Sequence, residues 1–126
     1  MIFGIGTDVV EVIRIKESLD KFGDKLAQKI LTHEEIAAYQ ASSRKENFLA
    51  KRFAAKEAFS KALGTGLRGE VNLQAITVVH DGMGKPCFRF NAQVSSILNQ
   101  HKISQQHLSI SDEKNIAVAF VVLEKV

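Results

Sequence analysis

An α+β fold, with a mainly antiparallel sheet packed against one long central helix and several shorter helices, is predicted by three observations. Residues 48–63 are rich in Ala, Leu and Lys, hold no proline or glycine, and run into Gly64; such a segment favours helix and a glycine stop. The C-terminal half carries short β-branched runs separated by turn residues, the pattern of hairpins. The element order reads strand, helices, strand, strand, helix, strand, strand, which suits antiparallel pairing against a helix.

Residues 2–12 read as a strand, with β-branched bulk at Ile5, Val9, Val10 and Val12. Gly4 and Gly6 inside it indicate a bulge or a close backbone approach. Asp8 shares an alternating face with Ile2, Val10 and Val12. A carboxylate there needs a partner, a backbone cap or a cation, because burying it alone is costly. Residues 13–31 read as helix, with Ile15, Leu19, Phe22, Leu26 and Ile30 as its apolar stripe and Gly23 as a kink or break. Arg14, Ser18, Lys21 and Lys25 form a separate, partly basic face. Thr32 and Glu35 have capping-box spacing, so a short helix is expected from His33 to about Ala41.

On the central helix, one broad side carries Phe48, Ala55, Ala58, Phe59 and Ala62 with Lys51 among them, a core-packing side. The other side sets Glu57 and Lys61 among Ala50, Phe53 and Ala54. Small residues around two charges leave room for close approach; an ordinary i,i+4 ion pair is the plain alternative. The loop from Gly64 to Gly69 offers backbone N–H groups for an anion nest. It follows a helix C-terminus, where the dipole repels anions, so the nest signal is weak on its own and a plain C-cap and turn explains the loop. Strands are expected over Ala75–His80 and Pro86–Phe90, joined by a hairpin loop, then a short helix near 92–101. Leu108 and Ile110 alternate with His107, Ser109 and Ser111 in the next strand. Ile116–Leu123 is nearly all apolar, which predicts a central strand covered on both faces.

The length of 126 residues fits one domain spanning 1–126, and 45% hydrophobic with 25% charged residues is globular composition. No apolar run reaches the roughly 20 residues of a membrane span, and the N-terminus lacks a basic leader, so no membrane role is expected. Cys87 is alone, consistent with a reducing cytoplasm and a place in the core. Residues 44–68 hold seven basic side chains against Glu46 and Glu57, which points to an anionic partner. The segment lacks the exposed aromatic row of a single-strand binder, so nucleic acid is not the favoured one.

Several segments together resemble the holo-(acyl carrier protein) synthases of the 4′-phosphopantetheinyl transferase superfamily. They are Gly4-Ile5-Gly6-Thr7-Asp8-Val9-Val10-Glu11, Arg52-Phe53-Ala54-Ala55-Lys56-Glu57-Ala58, Lys61-Ala62-Leu63-Gly64-Thr65-Gly66, Gly84-Lys85-Pro86 and His107-Leu108-Ser109-Ile110-Ser111. The resemblance implies Mg²⁺-dependent transfer of phosphopantetheine from coenzyme A to a serine of apo acyl carrier protein, in support of fatty acid biosynthesis. It implies Asp8 and Glu57 as metal ligands and Lys61 as a contact for the coenzyme A phosphates. Arg52 and His107 are implied nucleotide contacts, and Gly64 and Gly66 fall in the same substrate-binding set. Glu57 is a candidate base for the serine proton, giving Glu57 and Lys61 as the catalytic pair. A homotrimer with sites between subunits is implied, as is docking of the acidic carrier protein near Arg14, Lys21 and Lys25. Some members carry a second histidine where this chain has Asp112, and no role is assigned to Asp112.

Overall fold

The computed structural model describes residues 1–126. The order is β1 (Ile2–Glu11), α1 (Val12–Phe22), α2 (Asp24–Ile30), α3 (His33–Ala41), α4 (Lys45–Leu63), a 3-10 turn (Leu73–Ala75), β2 (Ile76–His80), β3 (Pro86–Phe90), α5 (Ala92–Gln100), β4 (Ile103–Asp112) and β5 (Ile116–Lys125). The strands form two antiparallel sheets, β1-β5-β4 and the hairpin β2-β3. Both lie against α4, giving the α+β arrangement expected from the element order.

The core surrounds α4 on nearly every side. Leu49, Ala50, Ala54, Ala55, Ala58 and Phe59 are all fully buried. The alanines on its mixed side are therefore core as well. Phe59 packs its ring on Phe88 and Phe90, with centroids 5.3 and 4.7 Å apart, and tethers the hairpin to the helix. Burying such a ring contributes about 1.5–3 kcal/mol.

β1 crosses α4 backbone against backbone, and this is what Gly4 and Gly6 permit. A Cβ on Gly4 would lie 2.0 Å from the Ala62 carbonyl oxygen, and one on Gly6 2.0 Å from that of Ala58. Gly4, Gly6, Asp8 and Val10 thus face the helix. Val12 is not part of this face, because it opens α1: its N–H bonds to the Asn115 carbonyl at 2.9 Å, beyond the last β1–β5 pair. Ile2 is exposed at the irregular end of the ladder.

The stretch 13–31 is two helices divided at Gly23, whose φ is 61°. The break leaves Phe22 exposed rather than in the apolar stripe, with the Lys21 ammonium 5.2 Å from its ring. The capping box at Thr32 and Glu35 forms as expected. Cys87 is exposed, not core. β3 turns Phe88 and Phe90 towards α4, so the alternating Cys87 and Arg89 point to water.

β5 is central, between β1 and β4, but only one of its faces is covered. Ala117, Ala119, Val121 and Leu123 are fully buried against α4. On the reverse face Phe120 is 44% exposed, beside Ile5 at 59% and Val9 at 58%. The continuous apolar run reflects a second apolar face that this chain leaves open.

Candidate active site

Asp8 and Glu57 line one cavity, with Phe53, Glu11 and Arg14 around it. The strand supplies the first acid and the helix the second, and the glycine contact between the two backbones brings them together. Lys61 lies one turn after Glu57 and reaches across to β1. Its Nζ donates to Asp8 Oδ1 at 3.0 Å and to the Thr7 carbonyl at 3.1 Å. Half of the Lys61 side chain remains in water, so the ammonium is accessible to a substrate phosphate.

Two carboxylates with one lysine leave negative charge uncompensated. The Glu57 carboxyl titrates above its ordinary range, first through burial and then through the charge of Asp8, with Lys61 opposing. Both effects disfavour the ionised acid. The donor set is two carboxylates from different elements, with no nitrogen or sulfur. It suits a small hard cation that keeps several of its waters, as Mg²⁺ does.

Arg52 belongs to a different cavity, lined with it by Phe48, Lys51, His80, Pro86 and Asp112. Arg52 and Glu57 are five positions apart, about 140° around the helix, so the two point to different sides of α4. His107 is further removed. It stands on the uncovered sheet face opposite Val122, and its Nε2 is 2.5 Å from Glu124 Oε1. The structure therefore brings Asp8, Glu57 and Lys61 together in one chain, and places Arg52 and His107 elsewhere.

The glycine loop is a helix cap. The N–H groups of Gly64, Thr65 and Gly66 all donate to the Ser60 carbonyl, at 3.0 to 3.2 Å, with Gly64 in the left-handed region at φ 89°. Their amides are taken up by this carbonyl, so the plain C-cap accounts for the loop within the chain. The residues proposed to receive a carrier protein are all exposed. Arg14 and Lys21 flank the exposed Ile13 and Phe22, and Lys25 follows on α2.

Sequence reasoning missed a buried charged cluster on α4. Lys56 is fully buried and Arg52 is 7% exposed, and both turn towards the buried Glu35. Lys56 Nζ donates to Glu35 Oε1 at 2.6 Å, the Ile30 carbonyl at 2.8 Å and the Leu73 carbonyl at 3.1 Å. Burial lowers the proton affinity of Lys56, and Glu35 opposes that shift. A signal was present: Arg52 and Lys56 are i,i+4 cations on a helix otherwise wrapped in apolar residues. Such a pair requires an acid within the fold.

Residues 4–121 match the family model described as the 4′-phosphopantetheinyl transferase superfamily. The chain belongs to that superfamily. It is 52% identical over 125 residues to a holo-[acyl-carrier-protein] synthase of Nitrosospira multiformis, covering 99% of this chain and 100% of that one. The crystal structure of the holo-[acyl-carrier-protein] synthase from Neisseria meningitidis superposes with a TM-score of 0.96 at 49% identity, covering 99% of this chain and 100% of that one. The Bacillus anthracis synthase, solved in complex with CoA (3′,5′-ADP), superposes with a TM-score of 0.83 at 43% identity over 100% of this chain and 99% of that one. The phosphopantetheinyl transferase match thus spans both cavities, including β1, α4 and the strand that carries His107.

Proposed function

We propose that this phosphopantetheinyl transferase is a holo-(acyl carrier protein) synthase, moving 4′-phosphopantetheine from coenzyme A to a serine of apo acyl carrier protein and serving fatty acid biosynthesis. The observation that carries the reading is the meeting of Asp8, Glu57 and Lys61 at one accessible cavity, in a chain alike over its whole length to synthases of that name.

In this reading Asp8 and Glu57 hold Mg²⁺. The bound ion supplies the positive charge that allows a pyrophosphate to approach two acids. Lys61 offers its half-exposed ammonium to the phosphate oxygens of coenzyme A and steadies charge on the departing bisphosphate. The serine oxygen attacks phosphorus, the phosphorus–oxygen bond to the leaving group breaks, and adenosine 3′,5′-bisphosphate departs. Glu57, the carboxylate that α4 brings to the cavity, takes the serine proton. Arg52 and His107 hold the nucleotide end.

Because Arg52 and His107 stand apart from the acids within one chain, a shared substrate requires a second copy. The uncovered apolar face of Ile5, Val9 and Phe120 is where copies meet in a homotrimer, and His107 shares that face. Carrier protein, acidic overall, docks on the exposed Arg14, Lys21 and Lys25, with Phe22 as an apolar contact. Residues 1–126 act as one catalytic domain, supported by a core cluster that draws on every helix and both sheets. No helix is long and apolar enough to cross a membrane, and the proposed workplace is the cytoplasm.

The test mixes the protein with coenzyme A, Mg²⁺ and cognate apo acyl carrier protein. Mass spectrometry should show the carrier gaining one phosphopantetheine, with adenosine 3′,5′-bisphosphate released in equal amount. Coenzyme A binding without either product would reduce the reading to a binding protein.

A further inference from the structure

We infer that Glu35, remote from the Asp8–Glu57 cavity, is a positioning residue for substrate: it fixes the guanidinium of Arg52 so that its free nitrogens meet the anionic nucleotide end of coenzyme A. The inference rests on the reading of Arg52 as a nucleotide contact.

Glu35 divides its two oxygens between two tasks. Oε1 accepts from Lys56 Nζ at 2.6 Å, from the Thr32 N–H at 2.9 Å and from the Thr32 hydroxyl at 3.2 Å. Oε2 accepts from the Val78 N–H at 3.1 Å and lies 3.2 Å from Arg52 Nε. One carboxylate thus ties the start of α3, the middle of α4 and β2 to a single point. Lys56 and the backbone donors hold the carboxylate still, and the carboxylate in turn holds Arg52.

Arg52 is constrained on two further sides. Its guanidinium lies over the Phe48 ring, 4.5 Å from the centroid, a favourable cation–π placement. Its surroundings bury it enough to lower its proton affinity, with Glu35 opposing. Its Nε faces Glu35 as an ion pair without hydrogen-bond alignment. The guanidinium nitrogens donate no hydrogen bond within the chain, although Arg52 lines the cavity shared with Lys51 and His80. A guanidinium held on one side, with terminal nitrogens that have no partner within the chain, opens onto a cavity where Lys51 and His80 outnumber the one acid, Asp112, and this suits an anion. A fork of this kind recognises phosphate oxygens in pairs, and its value depends on orientation as well as charge.

The surplus of charge agrees. Arg52 and Lys56 share one carboxylate, which leaves one positive charge unmatched in the cluster. Lys56 has three acceptors and is fully buried, so the unmatched charge is available at Arg52.

The experiment is a binding cycle with adenosine 3′,5′-bisphosphate, read by calorimetry. Glu35→Gln leaves Lys56 buried and unpaired, so the substitution is Glu35→Asp, and folding is checked by thermal melting. Glu35→Asp, which keeps the charge of the cluster and withdraws the carboxylate, should bind the bisphosphate on the order of tenfold more weakly than the unaltered protein, the loss of one charge-assisted contact. With Arg52→Ala added to both, the same substitution should change binding less than twofold. Equal binding by E35D and the unaltered protein overturns the inference, as does an unchanged loss once Arg52 is gone. The same variant supplies a second readout in its kinetics. It should raise KM for coenzyme A with little change in kcat; a fall in kcat at constant KM would show general loosening instead. The proposed transferase activity is judged separately, by carrier mass gain with the unaltered protein.

Discussion

Lys56 and Glu57 are neighbours in sequence, yet they belong to opposite electrostatic regimes. Lys56 is sealed in the core with three acceptors around it. Glu57 faces a cavity with another acid beside it and one half-exposed lysine nearby. Around Lys56 the buried cluster is satisfied, and through Lys56 and Glu35 it holds α2, α3, α4, the 3-10 turn and β2 together. The accessible cluster is left with surplus negative charge. Charged groups arranged to satisfy one another serve the fold; charged groups left at odds at a cavity await something from solution.

The largest effect that tests this contrast is on chemistry. Glu57→Gln should reduce carrier modification by about 10³-fold or more, while the melting temperature stays level or rises, because a carboxylate facing Asp8 is lost. Mg²⁺ should raise the melting temperature of the unaltered protein but not of this variant. Turnover within tenfold of normal would remove Glu57 from the reaction.

On the buried side the effect should appear in stability instead. Glu35→Ala leaves Lys56 without its counter-charge and should cost about 3–5 kcal/mol in urea unfolding. A loss under 1 kcal/mol would mean the cluster is not what ties the elements together.

The contrast extends to the sheet, whose inner face is satisfied and whose outer face is not. Phe120→Asp places a charge at the centre of the outer face, where burial against another copy would be costly. Sedimentation should show the proposed trimer dissociating to monomer, and carrier modification should fall with it. A trimer that persists would move the interface elsewhere.

Gly6→Ala tests the contact that carries Asp8 to Glu57. The added methyl meets the Ala58 carbonyl, so β1 must lift, at a cost of about 1–3 kcal/mol. Denaturant midpoints check this, and an unchanged midpoint would show that the strand has room.

The smallest effect concerns His80, in the Arg52 cavity. Desolvation, then the charges of Arg52 and Lys51, hold its imidazole below the ordinary value of 6.5, with Asp81 opposing. The unfolded chain therefore takes up the proton first as pH falls. This loss of stability is absent above pH 6.5 and grows below it, ending once pH falls beneath the folded value. The residue is exposed, so water screens the effect. Melting curves between pH 7.5 and 5 should slope less in His80→Asn, and identical slopes would count against the local positive field.

Much of the local order was legible in the residues. The long helix and its glycine stop, the Thr32 capping box and the β2–β3 hairpin follow from propensity and turn chemistry, which act over a few neighbours. Asp8 stood out because a carboxylate on an apolar strand face demands an explanation. Gly4 and Gly6 announced a close approach without saying to what. Errors arose where distant contacts decide: Cys87 and Phe22 are exposed.

The order of elements, the glycine stop of the long helix and the presence of two acids and a lysine in suggestive places were determined by the sequence alone. Which acid meets which base was decided only when the chain packed. Glu35 reaches residues 17 and 21 positions away, and Asp8 pairs with a lysine 53 positions away. The physical reason is that a charge is judged by its surroundings, and dielectric and partners in a folded chain come from segments far apart in sequence.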